Sequence, residues 1–285
     1  MPESEPSLVA HLLDAASLSA LPRSSGVYSF MGDGALPLYI GKSVDIRSRV
    51  MAHLRADDEA AMMAQCRRVE FIETAGEIGA LLLEAQLIKQ KSPLFNIRLR
   101  RLRTLCSIRL AEISGGLVPE IVSGQSVTVG QSADWYGLFS SAHAAQAKLR
   151  ELSDLHGLCL GVLGIEKMGK RGCFGLQVRT CLGACVGQED RRVHDQRLTQ
   201  ALADLKVHAW PYPGAVDLIE QRGDWTQRHR ILEWRYQGTW CSRTQAFSVH
   251  GPQGFDLDTY KIVVKPILMG TIRVEPAGEV FHETR

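Results

Sequence analysis

No stretch of the sequence approaches the ~20 apolar residues that a membrane span requires. The opening residues, MPESEPSLVA, are acidic and polar rather than basic followed by an apolar run. The expectation is a chain with no secretory or transit leader and a cytoplasmic location. A strong charge of one sign is also missing, since 33 Lys and Arg against 31 Asp and Glu leave a net charge of +2. Composition therefore announces no nucleic-acid partner, and any such signal has to be local. There is no internal repeat and no low-complexity tract. With 45% hydrophobic and 22% charged residues, the 285-residue chain can bury a core and is expected to form two or three domains. Nor is a disulfide framework expected of the seven cysteines, because the cytoplasm keeps thiols reduced. They are free thiols or ligands.

Residues 7–20 read as a short amphipathic helix that ends at Leu21-Pro22. Gly26-Val27-Tyr28-Ser29-Phe30 and Leu38-Tyr39-Ile40-Gly41 flank a Gly/Asp turn, as in a β-hairpin with a longer loop. Ser43 or Asp45 can cap a helix to about Leu54, with Ile46, Val50 and Leu54 on one face. Val69 to Thr74 alternates like a strand, and Glu77 to Gln90 is helical in pattern, with Pro93 preventing much continuation. The spacing thus predicts a small α/β (α+β) domain over 1–100, with a central, mostly antiparallel sheet flanked by helices. Residues 101–204 hold a strand-like Cys106–Leu110, a helix-like Ser141–Leu155 and a Gly- and Cys-rich stretch at 157–187. Residues 205–285 carry aromatic and β-branched residues between turn signals, including Tyr260-Lys261-Ile262-Val263-Val264, and read as a small β-rich region of unassigned role.

The first of these regions concentrates the chemistry. Tyr28 and Tyr39 lie on adjacent predicted strands, each near a glycine that leaves room beside the backbone. Taken alone, such a pair is ordinary packing. Lys42, however, stands at a strand-to-helix junction that favours an anion such as a phosphate. Arg49 and His53 follow Asp45 at one-turn intervals, and Glu84 sits at the margin of an apolar helix face. An ionised carboxylate there needs a partner, either a divalent cation or a salt bridge to Arg49 or another base. From Lys89 to Arg103 six basic side chains (Lys89, Lys91, Arg98, Arg100, Arg101 and Arg103) occur without an acid. That run is either a footprint for phosphates or a solvated helix end with a basic loop.

Four cysteines form a second group. Cys159, Cys173, Cys181 and Cys185 are spaced C-x13-C-x7-C-x3-C, while Cys66, Cys106 and Cys241 are scattered. Four thiols so close together suggest a metal centre. Structural zinc usually uses two short knuckles, and Cys181/Cys185 alone resembles one, so an iron–sulfur cluster is at least as compatible as zinc.

Gly26-Val27-Tyr28 and Tyr39-Ile40-Gly41-Lys42, followed by Arg49, Glu84 and Asn96, resemble the GIY-YIG nuclease family. Leu82–Lys89 followed by Pro93–Ile97 narrows the likeness to the N-terminal nuclease domain of UvrC and its short homologue Cho. Val27 departs from the family name conservatively. The resemblance implies that Tyr39 is the general base towards water, assisted by Tyr28 and Lys42, and that Glu84 holds one Mg²⁺ or Mn²⁺. A tyrosine near its ordinary pKa of ~10 is a poor base, so Lys42, Arg49 or a metal-bound hydroxide must favour its phenolate or relay its proton. Arg49 would pair with the scissile phosphate, Asn96 would fix the geometry by hydrogen bonds, and His53 would contact water or phosphate. Gly172-Cys173-Phe174 and Arg179–Cys185 look like the cysteine region of the same proteins, which implies a [4Fe-4S] cluster, with zinc as the alternative. The implied function is incision of damaged double-stranded DNA 3′ to a bulky lesion, with UvrB as partner and UvrA upstream. A GIY-YIG nuclease of recombination or mobile elements, and a non-catalytic DNA- or UvrB-binding protein, are the alternatives.

Overall fold

A computed structural model describes residues 13–96, 105–113, 115–123, 135–169, 171–249 and 255–278. Along the chain the elements begin with α1 (Ala15–Ser19), β1 (Gly26–Met31), β2 (Pro37–Ser43), α2 (Ile46–His53), α3 (Ala60–Met63), β3 (Arg68–Glu73) and α4 (Glu77–Lys91). They continue with β4 (Cys106–Ile113), β5 (Gly116–Ser123), β6 (Trp135–Phe139), α5 (Ala142–His156), α6 (Phe174–Gln177) and α7 (Arg191–Leu202). The last are β7 (Val216–Arg222), β8 (Trp225–Leu232), β9 (Arg235–Cys241), β10 (Ala246–Val249), α8 (Leu257–Leu268) and β11 (Arg273–Pro276). Residues up to 101 share one compact unit with those from 212 onward, and residues 102–211 form another.

In the first unit, β1 runs antiparallel between β2 and β3. Because side chains alternate along a strand, β1 serves two cores at once. Tyr28 and Phe30 point to one face and pack with Ile46 and Val50 of α2, Met63 and Cys66. Val27 points to the other and packs with Ile40 and with Ile88 of α4. Burying a side chain such as Phe30 contributes about 1.5–3 kcal/mol. Of the two caps expected for α2, Asp45 is the one used: its Oδ1 accepts the Ser48 amide at 2.8 Å. The predicted 77–90 helix is α4, and it ends where Ser92 turns left-handed (φ 44°) ahead of Pro93.

The start of α4 has no cap of its own, since Gly76 carries no side chain. Glu220 of β7 supplies it, accepting the Ile78 and Gly79 amides at 2.8 and 2.7 Å, where the helix dipole favours a carboxylate. His229 of β8 bonds the same carboxylate at 3.0 Å and reaches Thr239 at 2.7 Å. Gly79 makes this approach possible, because a Cβ there would lie 2.7 Å from the His229 ring. The C-terminal sheet, in the order β10-β9-β8-β7-β11 and antiparallel throughout, is thereby tied to the helix that carries Glu84. At the other end of α4, Lys89 is held by Asp256 and Asp258 at 2.5 and 2.8 Å.

One reading needs correction. Tyr260–Val264, read as part of a β-rich region, lies in helix α8. Asp256 caps that helix by accepting the Thr259 amide at 3.2 Å. Tyr260, Val263 and Ile267 are buried at helical spacing, and this burial outweighs the β-propensity of the valines. The predicted 7–20 helix is represented by α1 alone, capped by Asp14; residues 7–12 lie outside the described residues. In the second unit, β4 lies between β5 and β6, and Ser141 caps α5 by accepting the Ala144 amide at 3.1 Å. Ile108, Leu149, Leu158 and Leu198 fill the core of this unit.

Burial pushes the Glu220 carboxyl up, but bonds from His229 and the two amides outweigh it and leave its pKa below the ordinary 4.5. A depressed carboxyl contributes stability that is present above the unfolded pKa and lost as pH falls through the folded one. Glu220→Gln is predicted to lower stability by about 1–2 kcal/mol at pH 7 and to flatten the fall in Tm below about pH 4.5, both read by thermal melts across pH.

Candidate active site

The β1/β2 register sets Tyr28 opposite Gly41 and Phe30 opposite Tyr39. The Tyr28 phenol folds over Gly41, where a Cβ would stand 2.4 Å from the Tyr28 hydroxyl and 2.8 Å from the Tyr39 ring. A glycine at this point is therefore what lets both tyrosines share one face of the hairpin. Their ring centroids are 6.3 Å apart, and that of His53 lies 5.5 Å from Tyr28 and 5.6 Å from Tyr39. Tyr28 is buried and Tyr39 half-buried.

The Tyr28 hydroxyl bonds His53 Nε2 at 2.6 Å and accepts from the Arg49 guanidinium. It also bonds the Tyr39 hydroxyl. The other ring nitrogen of His53, Nδ1, bonds the Glu59 carboxylate. Arg49 and His53 lie one turn apart on α2, which puts the buried His53 beneath the hydroxyls and the exposed Arg49 at the mouth of the site. From α4, Glu84 Oε1 accepts the Lys42 amide at 2.9 Å, so the carboxylate meets the hairpin beside Tyr39 and Gly41. Asn96 pairs with the backbone of Ile40 in both directions, donating to its carbonyl and accepting its amide at 2.8 Å each. It completes the edge of β2 as a neighbouring strand would.

The protonation balance follows from burial. Desolvation raises Tyr28 and Tyr39 above the usual tyrosine value. For Tyr39 the Glu84 charge adds to that rise, and Arg49 opposes it without overcoming it. Burial also raises Glu84, against the Lys42 amide and the Lys42 charge. The Lys42 ammonium is engaged by Glu77 at 2.5 Å, and Arg49 is the cation whose charge favours a Tyr39 phenolate. The salt bridge offered as a partner for Glu84 is not found, since among the described residues no ion pair reaches this carboxylate.

Tyr28, Tyr39, Lys42, Arg49, His53, Glu84 and Asn96 thus converge as the sequence grouped them. Of the basic run, only Lys89 and Lys91 lie among the described residues. Lys89 is mostly buried and neutralised by Asp256 and Asp258, so its charge is spent inside the fold. Lys91 is exposed at the end of α4, while Arg98, Arg100, Arg101 and Arg103 lie outside the described residues. Sequence reasoning missed Glu59, Glu77 and Glu220. For Glu59 the one available signal was the acidic run Asp57-Asp58-Glu59 just after a helix that ends in His53.

In the second unit the four predicted cysteines converge. Cys173 Sγ lies 3.3 Å from Cys181 Sγ and 3.6 Å from Cys159 Sγ. Cys159, Cys173 and Cys185 have their sulfurs within 4.8 Å of one another and could hold a metal ion. The Leu176 amide points at Cys173 Sγ (3.3 Å) and the Cys173 amide at Cys185 Sγ (3.4 Å), which suits sulfurs that carry negative charge. Burial pushes the Cys185 thiol up to about 11 and raises Cys159 and Cys181 as well. His194 is no ligand: its Nε2 accepts the Cys159 amide at 3.1 Å and its Nδ1 faces Asp195.

A family model described as the UvrC-like GIY-YIG domain matches residues 24–97. A second, described as the UvrC/Cho excinuclease middle domain, matches 105–204, and a third, the excinuclease Cho C-terminal domain, matches 207–279. The chain is 47% identical over 260 residues to the excinuclease cho of Salmonella typhi, covering 90% of this chain and 87% of that protein. It is 46% identical over 268 residues to the excinuclease cho of Escherichia coli K12, covering 92% and 90%. The chain belongs to the excinuclease Cho family. This Cho-family chain is also 30% identical to the UvrABC system protein C of a Drosophila simulans Wolbachia, over 65% of this chain and 31% of that one. Among solved structures it is similar to the GIY-YIG N-terminal endonuclease domain of Thermotoga maritima UvrC bound to magnesium, at 30% identity. That match covers 28% of this chain and 92% of the other with a TM-score of 0.27. As a Cho-family excinuclease the protein is an endonuclease, a hydrolase of phosphodiester bonds, and a nuclease of nucleotide excision repair. Among its described residues no helix is long and apolar enough to cross a membrane.

Proposed function

We propose that this chain incises the damaged strand of duplex DNA on the 3′ side of a bulky lesion, at a site prepared by UvrA and bound by UvrB. The observation that carries this reading is the convergence of Tyr28, Tyr39, Arg49 and Glu84 at one end of the β1/β2 hairpin, within a chain of excinuclease ancestry along most of its length. A binding protein that does no chemistry has no use for two coupled phenols beside a carboxylate without an ion pair.

Glu84 suits a divalent cation. Its carboxylate has no ion pair among the described residues, and a hard ion such as Mg²⁺ or Mn²⁺ commonly takes one or two carboxylates and keeps several waters. When bound, such an ion supplies charge stabilisation for the leaving 3′ oxygen. The protein's own groups do the rest. Arg49, exposed and already bonded to Tyr28, presents a planar fork to a phosphate oxygen. Tyr39 accepts a proton from the attacking water. Asn96 holds the Ile40 backbone between Tyr39 and Gly41 in place, and Lys42, with its ammonium at the rim beside Glu77, orients water and DNA.

The four cysteines would hold a [4Fe-4S] cluster, with zinc as the alternative that the same soft donor set allows. Hydrolysis consumes no electrons, so the centre shapes the second unit rather than serving the reaction. Metal analysis of wild type and Cys185→Ser separates these cases. Iron and sulfide at about four each per chain, lost in the variant, support the cluster; zinc replaces it; a chain with neither metal has no centre there.

Incision is tested on an end-labelled duplex carrying one bulky adduct, with UvrA, UvrB, ATP and Mg²⁺. The expected result is a single 3′-side cut, abolished by Tyr39→Phe and by Glu84→Ala in folded protein. A cut indifferent to UvrB and to the adduct removes the repair assignment, and no cut at all removes the catalytic one.

A further inference from the structure

We propose that His53, held by Glu59, is the terminal proton acceptor of this site, and that Glu59 is the positioning residue that makes it so. The inference rests on the nuclease reading and deepens it. The chain of contacts is continuous: Tyr39 hydroxyl to Tyr28 hydroxyl, Tyr28 hydroxyl to His53 Nε2 at 2.6 Å, and His53 Nδ1 to the Glu59 carboxylate. A carboxylate only accepts hydrogen bonds, so Nδ1 carries a proton and Nε2 of the neutral ring is the acceptor for Tyr28. Buried tyrosines cannot keep a proton taken from water as a lasting charge change, because the surroundings resist charge. His53 is buried with an anion behind it, and that anion lets the ring become cationic.

The proton account balances. The attacking water gives a proton to the Tyr39 oxygen as its own oxygen bonds phosphorus. The Tyr39 proton passes to the Tyr28 oxygen, and the Tyr28 proton passes to His53 Nε2. Three O–H bonds break, two O–H bonds and one N–H bond form, and both tyrosines end neutral. The 3′ oxygen departs with the electron pair of the broken P–O bond. What remains is an imidazolium facing the Glu59 carboxylate. The charged or titratable groups around His53 are Tyr28 on β1, Tyr39 on β2, Arg49 on its own helix and Glu59 from the turn that follows. Glu84 acts on the set through its charge at Tyr28 and Tyr39.

The test uses the full chain labelled with ¹⁵N-histidine, as wild type, Glu59→Ala, Glu59→Asp, His53→Ala and the Glu59→Ala/His53→Ala double variant. Ring ¹⁵N shifts are expected to show His53 with Nδ1 protonated and Nε2 free of a proton in wild type at pH 8. Glu59→Ala is expected to lose that preference and Glu59→Asp to recover it. On the adducted duplex, Glu59→Ala is expected to lower kcat by about 100-fold with KM little changed. The double variant is no slower than His53→Ala alone. Identical ring shifts in wild type and Glu59→Ala, or losses that multiply in the double variant, overturn the proposal. If wild type cuts no duplex, the nuclease reading falls, whereas the ring shifts still decide the Glu59–His53 contact separately.

Discussion

The site depends on one close approach, the Tyr28 phenol lying over Gly41 across the β1/β2 pairing. Strand register is a discrete quantity, and a slip by one residue turns every side chain to the opposite face. In the observed register Tyr28 reaches back beneath Tyr39, their hydroxyls meet, and α2 brings Arg49 and His53 to the same point. The other face of the same strands binds α4 through Val27, Ile40 and Ile88, and this is what delivers Glu84 to the Lys42 amide. The two hydrophobic clusters on either side of β1 are thus the frame on which the polar groups are hung.

Electrostatics then divides the work among residues of similar type. Tyr28 is buried, and Tyr39 less so, but both hold their protons because burial and the nearby Glu84 charge outweigh Arg49. Glu84 carries no ion pair among the described residues, whereas Glu77, Glu59 and Glu220 are each engaged by a cation or a histidine. A carboxylate left to itself in a partly buried setting is the group available to an ion from outside. The engaged ones fix the positions of Lys42, His53 and the start of α4.

Much of this was legible in the sequence. The resemblance to the GIY-YIG family singled out Tyr28, Tyr39, Arg49, Glu84 and Asn96, and one hairpin with the helices beside it brings them into a cluster. The cap of α2 could be read as well, since Asp45 acts within three residues of itself. Contacts between residues distant in sequence could not. Glu220 caps a helix more than a hundred residues earlier, and Lys89 looks like part of a basic run until Asp256 and Asp258 are seen beside it. Helix α8 was misread because Val263 and Val264 favour strands locally, while their burial is decided by the partners of Tyr260 and Ile267. The four cysteines lay between these cases: their spacing suggested a centre, and their convergence within the second unit agrees with it.

The most direct test of the account is Gly41→Ala, which adds one methyl group where the Tyr28 ring must lie and removes no chemical group from the site. Incision of the adducted duplex should fall by at least about tenfold while the protein still melts cooperatively, since a small displacement of a reacting group is costly. A Gly41→Ala protein that cuts as fast as wild type would contradict the dependence of the site on this approach.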